Sequence, residues 1–209
     1  IEVMLSRELQ EQFEKGLNLI EIIKLKDNYI QEFKADINLL KDIQKKWKDI
    51  DDDPKLNVFI KKIEQQLRNE PNRKIVVFTE FSDTADYLEQ RINDISDISD
   101  ISDISLFKYH SKISNQTNKQ IIRDNFDAGL DSEEQKNDYN VLIATDAISE
   151  GYNLHRAGTI FNYDIPYNPT KVIQRVGRIN RINKKVFDEL YIYNFFPTAT
   201  GESDINIKR

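Results

Sequence analysis

The chain has 209 residues, a formal net charge of -6, no cysteine and two histidines, His110 and His155. Disulfides and thiolate metal sites are therefore excluded, a histidine-built metal centre is disfavoured, and the acidic balance does not suit a protein that simply coats DNA. No apolar run approaches the roughly 20 residues that span a bilayer, and no secretory leader is read over residues 1–10; the lack of cysteine fits a cytoplasmic location, which is the expectation. The first residue is isoleucine, which suggests a piece of a longer chain. The length suits one domain plus an appendage, or two small domains.

Residues 9–50 carry apolar side chains at helical spacing, with Phe13, Leu17, Ile20 and Ile23, then Phe33, Ile37, Leu40, Ile43 and Trp47. This predicts helix up to an acidic break. Asp53 is a good N-cap and Pro54 suits the first helical position, so a new helix is expected from there to about Arg68. Leu56, Phe59, Ile60, Ile63 and Leu67 would face inward. Pro71 and Asn72 end it.

The pattern then changes. KIVVFT, residues 74–79, is a short β-branched apolar run of the kind found in buried parallel strands. A helix is expected from Ser82, as its cap, to about Asn93, a strand over 106–109 and a helix over 114–126. Further strands are expected over 141–144, 159–163 and 190–195, with a helix over 169–182. Alternating strands and helices predict an α/β domain, an open and mostly parallel sheet covered on both faces. The boundaries expected are a helical segment over 1–71 and the α/β lobe over 72–209. Residues 94–105 spell DISDISDISDIS and read as a solvated loop insertion, as do the acidic residues 131–138.

Charge is concentrated late in the chain. Between Asp164 and Asp188 there is no acidic residue, and Lys171, Arg175, Arg178, Arg181, Lys184 and Lys185 fall in that window. On a helix over 169–182, Val172, Ile173, Val176 and Ile179 would form the apolar side. Gln174, Arg178 and Arg181 would form a polar stripe. Two guanidinium groups on one anchored face suit a phosphate clamp, because arginine grips phosphate oxygens in a fork and stays charged when desolvated. A solvated basic face is the alternative. Upstream, VLIATDAISEGYNL places Thr145 and Asp146 at the carboxyl end of a strand, where open α/β sheets bind ligands. Glu150, Gly151 and Asn153 follow in the loop, and Asn153 can both donate to and accept from a ribose or phosphate. An ordinary strand-to-helix turn capped by Asp146 is the alternative there.

ATDAISEGYNL followed by FNYDIPYNPTKVIQRVGRINR resembles motifs V and VI of superfamily-two helicases, most closely the Swi/Snf-type and RapA-like bacterial translocases. KIVVFTEFSDTADYL is similar to the motif IV strand and helix, and YHSKISNQTNKQIIRDNF to the element that follows it. The resemblance spans residues 74–196 and implies the C-terminal RecA-like lobe of such a motor. It implies that Arg178 and Arg181 act as arginine fingers on the γ-phosphate and that Gln174 links the ATP and nucleic-acid sites. It places Glu150, Gly151 and Asn153 beside the nucleotide, and Thr79, His110, Thr145 and Arg175 on the nucleic-acid backbone. ATP with Mg2+ is the implied cofactor, and nucleic acid, DNA before RNA, the implied partner.

Some positions depart from the family pattern: Ser111 for glycine, Lys119 for arginine, Tyr167 for tryptophan and Asn180 for aspartate. The chain carries no G-x-x-x-x-G-K-[ST] loop and no Asp-Glu box. Those parts, including the metal ligands, are expected on a first lobe of the same parent, so this chain alone is expected to be inactive. Rival readings are a remodeller that translocates without unwinding, a non-hydrolysing regulatory lobe, and a dimerising helical scaffold.

Overall fold

The computed structural model describes residues 28–48, 50, 52–96, 104–148, 151–180 and 186–196. The chain divides into two compact units, Ile1–Asp52 and Asp53–Arg209.

In the first unit, helix α1 spans Tyr29–Lys48 and buries none of its residues. It opens at Asn28, whose carbonyl accepts from Glu32 N at 2.9 Å and whose side chain bonds the Glu32 carboxylate. Lys45, Lys46 and Lys48 crowd its last turn, where cations complement the helix dipole. Of the helix expected over 9–50, residues 9–27 lie outside the described residues.

The second unit begins with α2, Pro54–Asn69. Asp53 caps it as expected, its side chain accepting from Leu56 N at 2.9 Å. The elements that follow are β1 (Lys74–Thr79), α3 (Ser82–Ser96), β2 (Leu106–Tyr109), a single 3-10 turn (Ser111–Ile113) and α4 (Gln116–Phe126). After them come β3 (Val141–Thr145), a second 3-10 turn (Asp146–Ile148), β4 (Ala157–Asn162), α5 (Pro169–Ile179) and β5 (Tyr191–Asn194). The five strands form one sheet in the order β2-β3-β1-β4-β5, and every pairing is parallel.

β1, β3 and β4 are buried along their whole length. Their continuous apolar runs follow from helices covering both sides. Side chains alternate between the faces. Ile75, Val77, Val141, Ile143 and Phe161 meet Leu56, Phe59, Ile63 and Leu67 of α2 and Leu88 of α3. Val76, Phe78, Leu142, Ala144 and Ile160 meet Ile122 and Phe126 of α4 and Ile179 of α5. Phe59 anchors the first face, with edge contacts to Phe161 at 5.5 Å, Tyr163 at 5.1 Å and Phe195 at 6.0 Å between ring centroids.

Several expectations change. The break at residues 71 and 72 falls inside one core: α2 packs on the sheet, and Thr159 Oγ1 donates to Gln66 Oε1 of α2 at 2.9 Å. The compact unit therefore starts at Asp53. Ser82 is the first residue of α3, not its cap. α4 starts two residues later than expected, because Asn115 caps it by accepting from Asn118 N at 2.8 Å.

The DIS repeat is not all loop. α3 continues to Ser96, and at the other end Ser105 N donates to Asn140 Oδ1 at 2.9 Å while Ser105 O accepts from Val141 N at 3.1 Å. Residues 97–103 lie outside the described residues. The acidic loop of residues 131–138 is likewise tied down. Arg156 donates to the carbonyls of Asp124, Asn125 and Lys136, and Lys136 Nζ pairs with Asp124 Oδ2 at 3.0 Å.

Candidate nucleotide and nucleic-acid site at the strand carboxyl ends

A parallel sheet delivers all its strand ends to one edge. Thr79 of β1 and Thr145 of β3 stand beside each other in register there. Both are buried. Thr79 Oγ1 donates to Asp164 Oδ2 at 2.5 Å, and Thr145 Oγ1 accepts from Ala147 N at 3.4 Å. The two hydroxyls therefore hold the loops after β4 and β3.

α5 docks on this edge through a charged residue. Asn168 caps it by accepting from Thr170 N at 3.0 Å, and Pro169 opens it. The expected apolar side included Ile173, but Ile173 is 71% exposed and Arg175 is 1% exposed. The reason is angular. At about 100° per residue, Arg175 and Ile179 lie on one side of Val172 and Val176, while Ile173 lies beyond them on the other. The sheet takes the Arg175 side.

Arg175, expected on the nucleic-acid backbone, is held inside the lobe in this structure. Its Nε donates to Asp146 Oδ1 at 2.9 Å, and its Nη1 donates to Asn162 Oδ1 at 3.0 Å and the Asp164 carbonyl at 3.1 Å. Its guanidinium lies 5.0 Å from the Phe78 ring centroid. Nη2 makes no hydrogen bond, and Glu80 Oε1 lies 3.9 Å from it. Its hydrogen-bond partners come from the residue just past β3 and from the end of β4 and just beyond it. Its job is to lock the rotation of α5.

Lys171 completes the cluster from solvent, with Nζ 3.0 Å from Asp146 Oδ2 and 3.4 Å from Glu80 Oε1. Burial pushes the Asp146 carboxyl up, but hydrogen bonds and charge from Arg175 and Lys171 outweigh it and hold the group below the ordinary carboxylate value. The hydrogen bond to Asp146 raises Lys171 in turn. Sequence reading found Asp146, Lys171 and Arg175 but not their union. Two carboxylates and a carboxamide at strand ends, Glu80, Asp146 and Asn162, were the available signal.

With Arg175 inward, Gln174 is exposed and Arg178, one turn from it, is half-buried. The Arg178 carbonyl accepts from Leu154 N at 3.1 Å, which joins α5 to the loop that carries Gly151 and Asn153. Gly151 has φ +86°, in the left-handed region that favours glycine. Asn153 Nδ2 donates to Asp127 Oδ2 at 3.3 Å. Glu150 and Arg181 lie outside the described residues. His110 stands just past β2 but is 3% exposed, with Nε2 3.4 Å from Asp86 Oδ1. Asp86 is held low, chiefly by a hydrogen bond from Lys108. Like Thr79, Thr145 and Arg175, His110 lies beneath the surface of this edge. Among the described residues, no group of His, Asp and Glu side chains could hold a metal ion.

Comparisons with known proteins bear on the family and the fold. The helicase conserved C-terminal domain family matches residues 55–183, which includes α2. An uncharacterised ATP-dependent helicase of Bacillus subtilis is 28% identical over 165 residues, 74% of this chain and 26% of that protein. The RNA polymerase-associated protein RapA of Vibrio cholerae is 28% identical over 128 residues, 61% of this chain and 12% of that protein. The chain thus spans about a quarter or less of these relatives. Domain 2 of the DEAD-box helicase Mss116p, solved bound to an RNA duplex, superposes with a TM-score of 0.54 at 14% identity, covering 73% of this chain and 56% of that one. The C-terminal part of the Fun30 ATPase domain gives 0.54 at 19% identity, covering 70% and 42%. The fold is RecA-like, and the chain belongs to the helicase conserved C-terminal domain family, as the C-terminal lobe of a superfamily-two helicase.

Proposed function

We propose that this chain is the second motor lobe of an ATP-dependent helicase or translocase, with DNA as its polymer. The observation that carries the proposal is the buried Arg175, which fixes α5 so that Gln174 and Arg178 are left on the side away from the sheet. A first lobe of the same parent would supply the phosphate loop and the Mg2+ ligands. ATP bound there would supply a phosphoryl group for transfer to water, with ADP leaving, and its binding would draw the cleft shut beforehand. On this side Gly151 and Asn153 would line the nucleotide. Arg178, with Arg181, would meet the charge that develops on the γ-phosphoryl oxygens. The similarity to named ATP-dependent helicases supports this reading. The location proposed is cytoplasmic. No helix among the described residues is long and apolar enough to cross a membrane.

The test is ATP turnover by the full-length protein with and without DNA or RNA. Arg178→Ala should leave nucleotide affinity nearly intact and lower turnover by about 10³-fold or more, the scale of arginine-finger losses. Unchanged turnover removes Arg178 from that role.

Mss116p domain 2, described in complex with an RNA duplex, favours a second and narrower reading in which this lobe binds duplex by itself. Titrating the chain alone with duplex DNA and duplex RNA at low salt decides both that ability and the preference between the polymers.

A further inference from the structure

Two loops that carry different candidate roles are tied together by their phenols. Tyr109 is the last residue of β2 and precedes His110. Tyr152 stands between Gly151 and Asn153. The two hydroxyls lie 2.7 Å apart, and the Tyr109 hydroxyl is also 2.7 Å from Ser114 Oγ, just before the Asn115 cap of α4. The rings meet edge to face, with centroids 5.6 Å apart and planes at 63°. Tyr109 is 1% exposed and Tyr152 is half-buried.

The Tyr152 loop is pinned from three sides. Tyr152 bonds the end of β2, Asn153 bonds the C-cap residue of α4, Asp127, and Leu154 N donates to the Arg178 carbonyl of α5. Only the first of these contacts joins the proposed nucleotide loop to β2. A core that only needed filling would be served by two phenylalanines. The paired hydroxyls add a directional bond that holds the loop in one place relative to the strand.

The geometry points to Tyr152 as a positioning residue that couples the nucleic-acid side of the lobe to its nucleotide side. This rests on the motor reading above. When a polymer backbone presses on the end of β2, the displacement passes through Tyr109 to Tyr152 and sets Gly151 and Asn153 against the nucleotide. Neither tyrosine touches the reacting atoms.

The experiment uses the full-length protein with Tyr152→Phe, Tyr109→Phe and both together, which keep the rings and remove the hydroxyls. Turnover without polymer should match the parent, while stimulation by the polymer should fall about fivefold or more, a usual scale for coupling between sites. The double variant should lose no more than Tyr109→Phe alone, since removing the Tyr109 hydroxyl already breaks its contacts to both Tyr152 and Ser114. The gain in polymer affinity on adding a non-hydrolysable ATP analogue should shrink as well, and by reciprocity the gain in analogue affinity on adding polymer should shrink by that same factor. Full stimulation in Tyr152→Phe overturns the proposal. So does a loss of unstimulated turnover in step with a lowered melting temperature, which is the mark of a merely structural contact. Tyr152→Phe alone decides if the buried Tyr109 variant fails to fold. If the parent is stimulated by neither DNA nor RNA, the motor reading fails and this coupling with it, whereas a stimulated parent with an indifferent Tyr152→Phe sinks the coupling only.

Discussion

The two ends of the lobe's interior are built from different materials. The face under α2 and α3 is joined by packing, with Phe59 set among Phe161, Tyr163 and Phe195. The strand carboxyl edge under α5 is joined by a buried guanidinium that bonds Asp146, Asn162 and the Asp164 carbonyl. Packing is non-directional and tolerates small rearrangement. A fork of hydrogen bonds fixes a helix in one rotation, and a face that must present particular side chains needs that fixity. The difference teaches that here the charged interior belongs to orientation and the apolar interior to cohesion.

The comparison can be broken by mutation. Phe59→Ala should destabilise the chain by about 3–5 kcal/mol, the usual loss for a buried phenylalanine. Arg175→Ala should cost about the same, roughly 3–5 kcal/mol, because it removes the buried end of an ion pair and leaves the Asn162 and Asp164 acceptors without their donor. Urea unfolding measures both. Equal losses at neutral pH would still leave different origins, and pH separates them. Asp146 is held low in the folded chain, so its contribution is fully present above the unfolded carboxylate pKa and is lost as pH falls through the folded value. In acid titrations of stability, Phe59→Ala should keep that step and Arg175→Ala should shrink it. An unaltered step in Arg175→Ala would mean that Lys171 alone holds Asp146.

A smaller effect sharpens the contrast at the opposite edge of the sheet. Lys74 begins β1 with Nζ donating to the Tyr139 carbonyl at 2.6 Å, and burial, with Arg156 nearby, lowers its pKa to about 8. Between pH 8 and the unfolded lysine value the unfolded chain binds more protons, so stability should rise with pH across that window. Lys74→Met should flatten the rise. The smallest change expected is from deleting residues 97–103, part of the insertion that the sequence repeat marks as solvated, about 0.5 kcal/mol or less. A larger loss in thermal melts would give those residues a structural part.

The sequence carried the strands well. KIVVFT is bounded by Pro71-Asn72 on one side and polar residues on the other, and β1 falls on those six residues. Asp53-Pro54 gave the start of α2 for the same local reason. The fold boundary was less legible, because the proline after α2 looks like a domain edge while the helix itself belongs to the core. Arg175 was the hardest residue to place. Its burial depends on partners from three strands distant in sequence, and an arginine in a basic window reads as surface by default. Tyr109 and Tyr152 were passed over for a related reason: each looks like ordinary core until the fold sets their hydroxyls together.

Because all five strands run the same way, the lobe has a working edge and a plain one. The loop before β3, held by Arg156, belongs to the plain edge and exposes Ser132. These 209 residues contain no cysteine. Ser132→Cys therefore gives this lobe a single thiol for a fluorophore or a surface tether on the plain edge, so that the movement along a polymer proposed above could be watched one molecule at a time without a probe in its path.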